Sequence, residues 1–282
     1  VVTTLFTSCR NGSGNNSQSA QTSPESQNIS KLEIPEVPST ITDPQLKAEY
    51  LIRSFWKNYD FKDTTKLQNE SYTEGPLYVY LSVVKKYSNS AVREIYSNFL
   101  NGLMNSAPKV REKFLTLIEY NYYHPNSQIR DENLYSMAID KALLMSSFPK
   151  GEAERYLFQK KIMARNNAGS KASDFTLQTK DGSQIALSQI KSKYLVLILY
   201  DPECEHCIET IENMQKSPLF LSEKVKVVAV MAENNKTKFI NGVHKLPNEW
   251  ISGFDFKEDI MNNLLYDLRP SPSLYLLDEQ KR

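Results

Sequence analysis

Tyr194-Leu195-Val196-Leu197-Ile198-Leu199-Tyr200 is an unbroken apolar run, and it leads directly into Asp201-Pro202-Glu203-Cys204-Glu205-His206-Cys207. A short continuous run of this kind reads as a central strand buried on both faces. A helical stretch follows from about Cys204 to Lys216, and Val225-Lys226-Val227-Val228-Ala229-Val230 reads as a second strand. Strand, helix and strand within about 37 residues form a βαβ unit, whose strands run parallel with a right-handed crossover.

The placement of the cysteines gives this unit a chemistry. Residues three apart on a helix share a face, with Cβ atoms about 5–6 Å apart, which a disulfide can bridge after modest adjustment. Cys204 stands at the helix N-terminus, where unpaired N–H groups and the helix dipole favour a thiolate. An accessible thiolate with a second thiol beneath it is the equipment for thiol–disulfide exchange. Carboxylates at Asp201, Glu203, Glu205 and Glu209 push the Cys204 pKa up, while the helix terminus and a protonated His206 push it down. The sequence leaves the sign of that sum open.

Outward from the unit, the pattern extends in both directions. Phe175-Thr176-Leu177 and Ile185-Ala186-Leu187 alternate across Lys180-Asp181-Gly182-Ser183, an Asp-Gly hairpin signal. On the far side, Ser271-Pro272-Ser273-Leu274-Tyr275-Leu276-Leu277-Asp278 reads as a proline-led strand ending at a turn. Residues 169–282 thus form one α/β domain.

Residues 42–168 carry helical periodicity instead. Ile52, Phe55, Trp56 and Tyr59 make a first stripe, and Leu77, Tyr80, Leu81 and Val84 a second. Val92, Ile95, Tyr96, Phe99, Leu100 and Leu103 make a third. Val110, Phe114, Leu117 and Ile118 follow, opened by Ser106 two residues before Pro108. Asp131 caps a fifth helix with Leu134, Ala138, Ala142 and Met145, and a sixth, charged helix runs from about Gly151 to Asn167. The cluster Tyr120, Tyr122, Tyr123, His124 at a helix end reads as core or interface packing, with a ligand pocket as the sharper alternative.

Before these helices, 15 of the 21 residues from Arg10 to Ser30 are Ser, Asn, Gln or Gly. Such a stretch buries too little surface to offset its ordering entropy, so residues 10–41 read as a flexible tether. Leu5-Phe6-Thr7-Ser8-Cys9 resembles a lipobox, which makes residues 1–9 the remnant of a lipoprotein signal and Cys9 the lipidated residue.

The chain has 282 residues with 34 Lys+Arg and 33 Asp+Glu, a net charge of +1. Such near-neutrality excludes nucleic-acid binding by bulk electrostatics. With 40% apolar and 24% charged residues the composition is that of a globular protein, and its length suits two domains. The run 194–200 falls far short of the ~20 apolar residues of a membrane span. Three cysteines are too few for a disulfide scaffold.

Tyr200-Asp201-Pro202-Glu203-Cys204-Glu205-His206-Cys207, with Ala172-Ser173-Asp174-Phe175-Thr176-Leu177 ahead of it, resembles the TlpA/ResA-like branch of the thioredoxin superfamily. Asn126-Ser127 and Arg130-Asp131-Glu132-Asn133-Leu134-Tyr135 extend the resemblance to a Bacteroidetes arrangement of lipobox, helical domain of unknown function and thioredoxin-like domain. The resemblance implies an α/β thioredoxin-like domain, with a mixed sheet and an N-terminal β-hairpin, preceded by an all-α domain. It also implies a further strand and helix beyond Arg282, so the domain is expected to be truncated at its C-terminus. Cys204 is then the nucleophile, Cys207 the resolving thiol and Pro272 the cis-proline facing them. Ser271 would present its backbone to an extended substrate, which Glu205 and His206 would also contact. The expected activity is thiol–disulfide exchange on protein disulfides and dithiols, with an upstream electron donor and no cofactor beyond the redox-active disulfide. The expected location is the periplasm, with the membrane reached only through a lipid anchor. Two departures stand out: Glu203 replaces a common Trp, and Ile198 replaces the buried Asp of thioredoxin itself.

Rival chemistries fit less well. A zinc site on Cys204, His206 and Cys207 lacks a second Cys pair, leaving only His124 and His244 as further ligands. Haem attachment requires His where Ile208 stands, and a peroxidatic site requires Thr where Asp201 stands. The rival of a different class is an envelope binding module, in which the helical domain recruits a partner and the redox site is auxiliary.

Overall fold

The computed structural model describes residues 31–221 and 224–282. Cys9, and the tether up to residue 30, lie outside the described residues. Leu32, within the stretch expected as tether, is buried against the helical core, and its N–H donates to the Ser71 carbonyl. Leu32 thus packs with the helical half, ten residues before the start that the helical periodicity indicates.

The helical half contains α1 (Pro44–Ser54), α2 (Gly75–Lys86), α3 (Ser90–Met104), α4 (Pro108–Tyr122), α5 (Glu132–Leu143) and α6 (Lys150–Met163). Side-chain caps start three of them: Asp43, Asn89 and Asp131 each accept backbone N–H groups of the first turn. The core is aromatic. Trp56 sits among Phe55, Tyr80, Phe99 and Phe114, with ring centroids 5.0–5.8 Å away. Tyr122 is buried and donates to the Leu81 carbonyl at 2.7 Å, so that part of the expected Tyr cluster is core.

Three local expectations are corrected. The stripe through Tyr59 outlasts its helix: α1 ends at Ser54, whose hydroxyl donates to the Tyr50 carbonyl at 2.8 Å, and i→i+3 turns continue the chain. These turns keep Phe55, Trp56 and Tyr59 on the same buried side. Ser106 does not open α4; its hydroxyl donates to the Leu103 carbonyl at 2.7 Å and so closes α3, while Pro108 starts α4 after Ala107. The last helix stops at Met163, short of Asn167, ahead of Asn166 in the left-handed region (φ 51°).

The second half comprises β1 (Thr176–Thr179), β2 (Gln184–Ala186), β3 (Tyr194–Leu199), α7 (Glu205–Gln215), β4 (Val225–Met231), α8 (Lys236–Gly242), β5 (Ile251–Phe254), α9 (Asp259–Asn262) and β6 (Ser273–Asp278). The sheet order is β2-β1-β5-β4-β3-β6. The β3–β4 and β4–β5 pairs are parallel, and β1–β2, β1–β5 and β3–β6 are antiparallel. This is the expected mixed sheet with an N-terminal hairpin, and Gly182 supplies the positive φ (90°) its turn needs. Alternation along β3 divides the core. Leu195, Leu197 and Leu199 enter one apolar layer, while Val196 and Ile198 enter the other with Cys207, Ile211 and Phe239. The segment β5–α9 has no sequence signal of comparable strength. β6 forms one edge of the sheet, opposite β2, with Leu274 and Leu276 47% and 68% exposed.

Candidate active site

β3 delivers the chain to the C-terminal edge of the sheet, where Tyr200 still donates its N–H to the Val230 carbonyl. The Asp201 carboxylate accepts the Glu203 N–H at 2.9 Å, and the Asp201 carbonyl accepts the Cys204 N–H. This Asx turn re-aims the chain so that Cys204 becomes the N-cap of α7. Its sulfur accepts the Cys207 N–H at 3.4 Å, taking the place of the usual cap oxygen. A sulfur held at a helix N-terminus faces the positive end of the dipole.

Cys207 is fully buried on the first turn, in the layer that also holds Ile198 and Ile211. Ile198 brings no proton acceptor to it. Its polar neighbours are the Asp201 backbone and Ser271, whose hydroxyl lies 3.1 Å from the Cys207 sulfur and donates to the Cys204 sulfur at 3.7 Å. The Cys204 thiol in turn lies 4.0 Å from the Ser271 carbonyl. The Ser271–Pro272 peptide is cis, and Pro272 is buried behind Ser271. The tertiary fold thus brings Cys204, Cys207, Ser271 and Pro272 together from two segments more than sixty residues apart.

The two thiols have opposite leanings. Burial pushes the Cys204 thiol up, but hydrogen bonds from Cys207, Ser271 and the His206 backbone outweigh it, and its pKa lies below the ordinary thiol value. Burial holds Cys207 above that value. The lower group is the one open to solvent, and both cysteines are free thiols.

Lys238, in the first turn of α8, answers the carboxylate question that the sequence leaves open. Its ammonium lies 2.9 Å from Asp201, 3.2 Å from Glu233 and 3.6 Å from Glu203. Two of the four carboxylates expected to oppose a thiolate are therefore paired with a cation. The helix α8 and the turn after it also brace the loop: a Cβ on Gly242 would lie 2.2 Å from the Pro202 Cβ, and Lys245 donates to the Pro202 carbonyl at 3.3 Å. Nothing in the sequence around Lys238 points to Asp201; the contact exists only because α8 follows β4, the neighbour of β3. Glu205 and His206 are both exposed on the rim of α7, where the His206 side chain lies 3.8 Å from Glu209. Among the described residues, no group of three or more His, Cys, Asp or Glu could hold a metal ion.

Comparison with known proteins agrees with this architecture. Residues 8–166 match the family described as Domain of unknown function (DUF5106), and residues 168–281 match the AhpC/TSA family. The chain is 28% identical to a thioredoxin-like protein of known structure from Bacteroides caccae, with a TM-score of 0.82 over 90% of this chain and 92% of that one. It is 29% identical to thiol-disulfide oxidoreductase ResA of Bacillus subtilis over 115 residues, 40% of this chain. That match spans 62% of the length of the curated relative. The chain belongs to the DUF5106 family through its helical half, and its second half is a thioredoxin-like domain that matches the AhpC/TSA family.

Proposed function

We propose that this protein is a thiol–disulfide oxidoreductase acting on protein disulfides through Cys204 and Cys207. The observation that carries the reading is the Cys204 sulfur: solvent-accessible, capping α7 through the Cys207 N–H, and held below the ordinary thiol pKa. The Cys204 thiolate attacks one sulfur of a substrate disulfide, forming a mixed disulfide and releasing the other substrate sulfur as a thiolate. Cys207 then loses its proton and attacks the Cys204 sulfur. The bond to the substrate breaks, the second substrate thiolate leaves, and the Cys204–Cys207 disulfide remains. Two electrons have passed to the substrate, and a dithiol donor must return them. The Ser271 hydroxyl contacts both sulfurs and is placed to hold charge on either during the exchange. The Ser271 backbone, Glu205 and His206 form the rim an extended substrate would meet.

The same reading places the protein in the cell envelope, anchored through lipidated Cys9; its support is the lipobox-like Leu5-Phe6-Thr7-Ser8-Cys9 and the polar stretch after it. Titration of the Cys204–Cys207 pair in redox buffer, combined with turnover of a model disulfide, tests the activity. Reversible cycling with turnover is expected, and a pair that stays dithiol in oxidising buffer would remove the assignment. For the anchor, the complete precursor should partition into membranes, and Cys9→Ser should release it.

A further inference from the structure

The two halves of the chain meet at the segment that carries Ser271. Arg130, two residues before α5, pairs with Asp267 at 3.1 Å and with Glu132 at 2.6 Å. From the redox half, Arg269 reaches back. Its guanidinium lies 3.5 Å above the Tyr123 ring, donates to the Tyr123 carbonyl at 3.2 Å, and pairs with Glu132 at 3.4 Å and Asp267 at 2.7 Å. Asp131, between Arg130 and Glu132, accepts the Asn133 and Leu134 N–H groups and starts α5. That cap fixes the backbone from which both neighbours project toward the redox half.

A second tie comes from Asn166, beyond α6. Its side chain donates to the Leu265 carbonyl at 2.6 Å and accepts the Ser173 N–H at 2.9 Å. Within the segment, the Ser273 hydroxyl lies within hydrogen-bond reach of the Asp267 and Pro270 carbonyls, and the Asp267 N–H donates to the Tyr275 hydroxyl. The segment is thus gripped at 265, 267 and 269, the last only two residues before Ser271. The network is shielded, with Asp267 13% exposed and the two arginines 27–29%. Planar guanidinium groups engaged by several partners hold direction as well as charge.

We propose that the helical half is the positioning element of the redox site: Tyr123, Arg130 and Glu132 hold Asp267 and Arg269, and so set where Ser271 meets the two sulfurs. The inference rests on the thiol–disulfide reading of Cys204 and Cys207. It gives Arg130-Asp131-Glu132 a shared task, in which one residue starts a helix and its two neighbours reach across to the redox loop. Loosening the grip withdraws the Ser271 contacts that favour the Cys204 thiolate, so the reduced pair loses more than the disulfide does.

The test uses the full chain with Arg130→Gln and Glu132→Gln combined, compared with Arg155→Gln. Arg155 pairs with Glu119 and Glu152 within the helical half, and neither pair reaches the redox loop. The readouts are the equilibrium of Cys204–Cys207 with dithiothreitol and the pH midpoint of Cys204 alkylation, with a urea titration to confirm folding. In the double variant the equilibrium should move about three- to tenfold toward the disulfide, roughly 15–30 mV at 29.6 mV per tenfold, and the alkylation midpoint should rise. Arg155→Gln should move neither. A folded double variant with wild-type equilibrium and midpoint would overturn the proposal, as would an equal shift in Arg155→Gln. Should the double variant unfold, Glu132→Gln alone, which leaves the Arg130–Asp267 pair, carries the same comparison. A wild-type pair that never forms the disulfide would remove the exchange reading instead, and the alkylation midpoints would still decide whether the helical half positions Ser271.

Discussion

The Ser271 hydroxyl lies 3.1 Å from the Cys207 sulfur, a buried thiol that packs among apolar residues such as Ile198 and is otherwise hydrogen-bonded by the Asp201 backbone. A neutral hydroxyl exchanges hydrogen bonds with thiol and thiolate alike, so it can follow the charge from one sulfur to the other. Ser271→Ala leaves the backbone in place and removes that contact. The expected result is a rise in the Cys204 alkylation midpoint and a three- to tenfold slower exchange, roughly the net worth of one hydrogen bond. An unchanged midpoint would show that the helix terminus alone sets the thiolate.

The two cysteines should be separable by trapping. Cys207→Ser should attack a substrate disulfide and accumulate the mixed disulfide, because no second thiol resolves it. Cys204→Ser should neither trap nor turn over. Non-reducing gels after exposure to a model protein disulfide distinguish the variants, and equal trapping by both would reverse or abolish the roles.

Alkylation should follow the same order. Cys204 is accessible and held below the ordinary thiol value, so its thiolate persists as pH falls below about 8.5. Burial holds Cys207 above it, so this thiol stays protonated and shielded. Iodoacetamide should therefore label Cys204 first, with a midpoint below that of a free thiol, as mass spectrometry across a pH series can show. Cys207 labelling first would contradict the geometry.

Lys238→Met removes the cation that pairs Asp201, Glu203 and Glu233. The freed carboxylates then disfavour the nearby thiolate. Exchange at pH 7 should slow about two- to fivefold, and added salt should recover part of the loss by screening. A variant with wild-type rate at low salt would show that Lys238 serves the loop only structurally.

Gly242→Ala should disturb the same loop by contact, since its Cβ would stand 2.2 Å from that of Pro202. Overpacking of this kind costs about 1–3 kcal/mol, readable as a lower urea midpoint. Gly102→Ala is the comparison: it lies in α3 with open space around the new methyl and should stabilise by about 0.5–1 kcal/mol. Equal effects would show that α8 yields at no cost.

Asp267 contributes to the acid limb of stability. Burial raises its pKa, but Arg269 and Arg130 outweigh burial, so the folded value lies below the usual carboxylate. A depressed folded pKa gives a contribution that is present above the unfolded value of about 3.9 and lost as pH falls through the folded one. Asp267→Asn should cost about 1–3 kcal/mol at pH 7 and less once the pH has fallen below the folded pKa. Equal loss in both ranges would show that the carboxylate's charge is not what binds the two arginines.

The features legible in the sequence are those whose cause is local. The run 194–200 becomes β3, central between β4 and β6, because a strand covered on both faces has no polar side to show. Asp181-Gly182 makes its hairpin through a positive φ, Asp131 caps α5 with its own side chain, and Cys204 starts α7 where the turn residues end. Local causes also mislead where two elements share a signal, as with the stripe that outlasts α1 and the serine that closes α3 rather than opening α4. β5 escapes notice because four residues carry almost no period, and Gly253 is demanded by a neighbour: a Cβ there would lie 2.4 Å from a Leu177 methyl. What tertiary structure alone decides is electrostatic and long-range. Lys238 reaches Asp201 across 37 residues, and Arg130 reaches Asp267 across 137. Charge pairs have no preferred sequence spacing outside a helix or hairpin, so only the packed fold determines which carboxylate each cation meets. The sequence by itself determined the two domains and the dithiol at a helix start; the fold decided which sulfur is the more acidic and bound the helical half to the loop beside it.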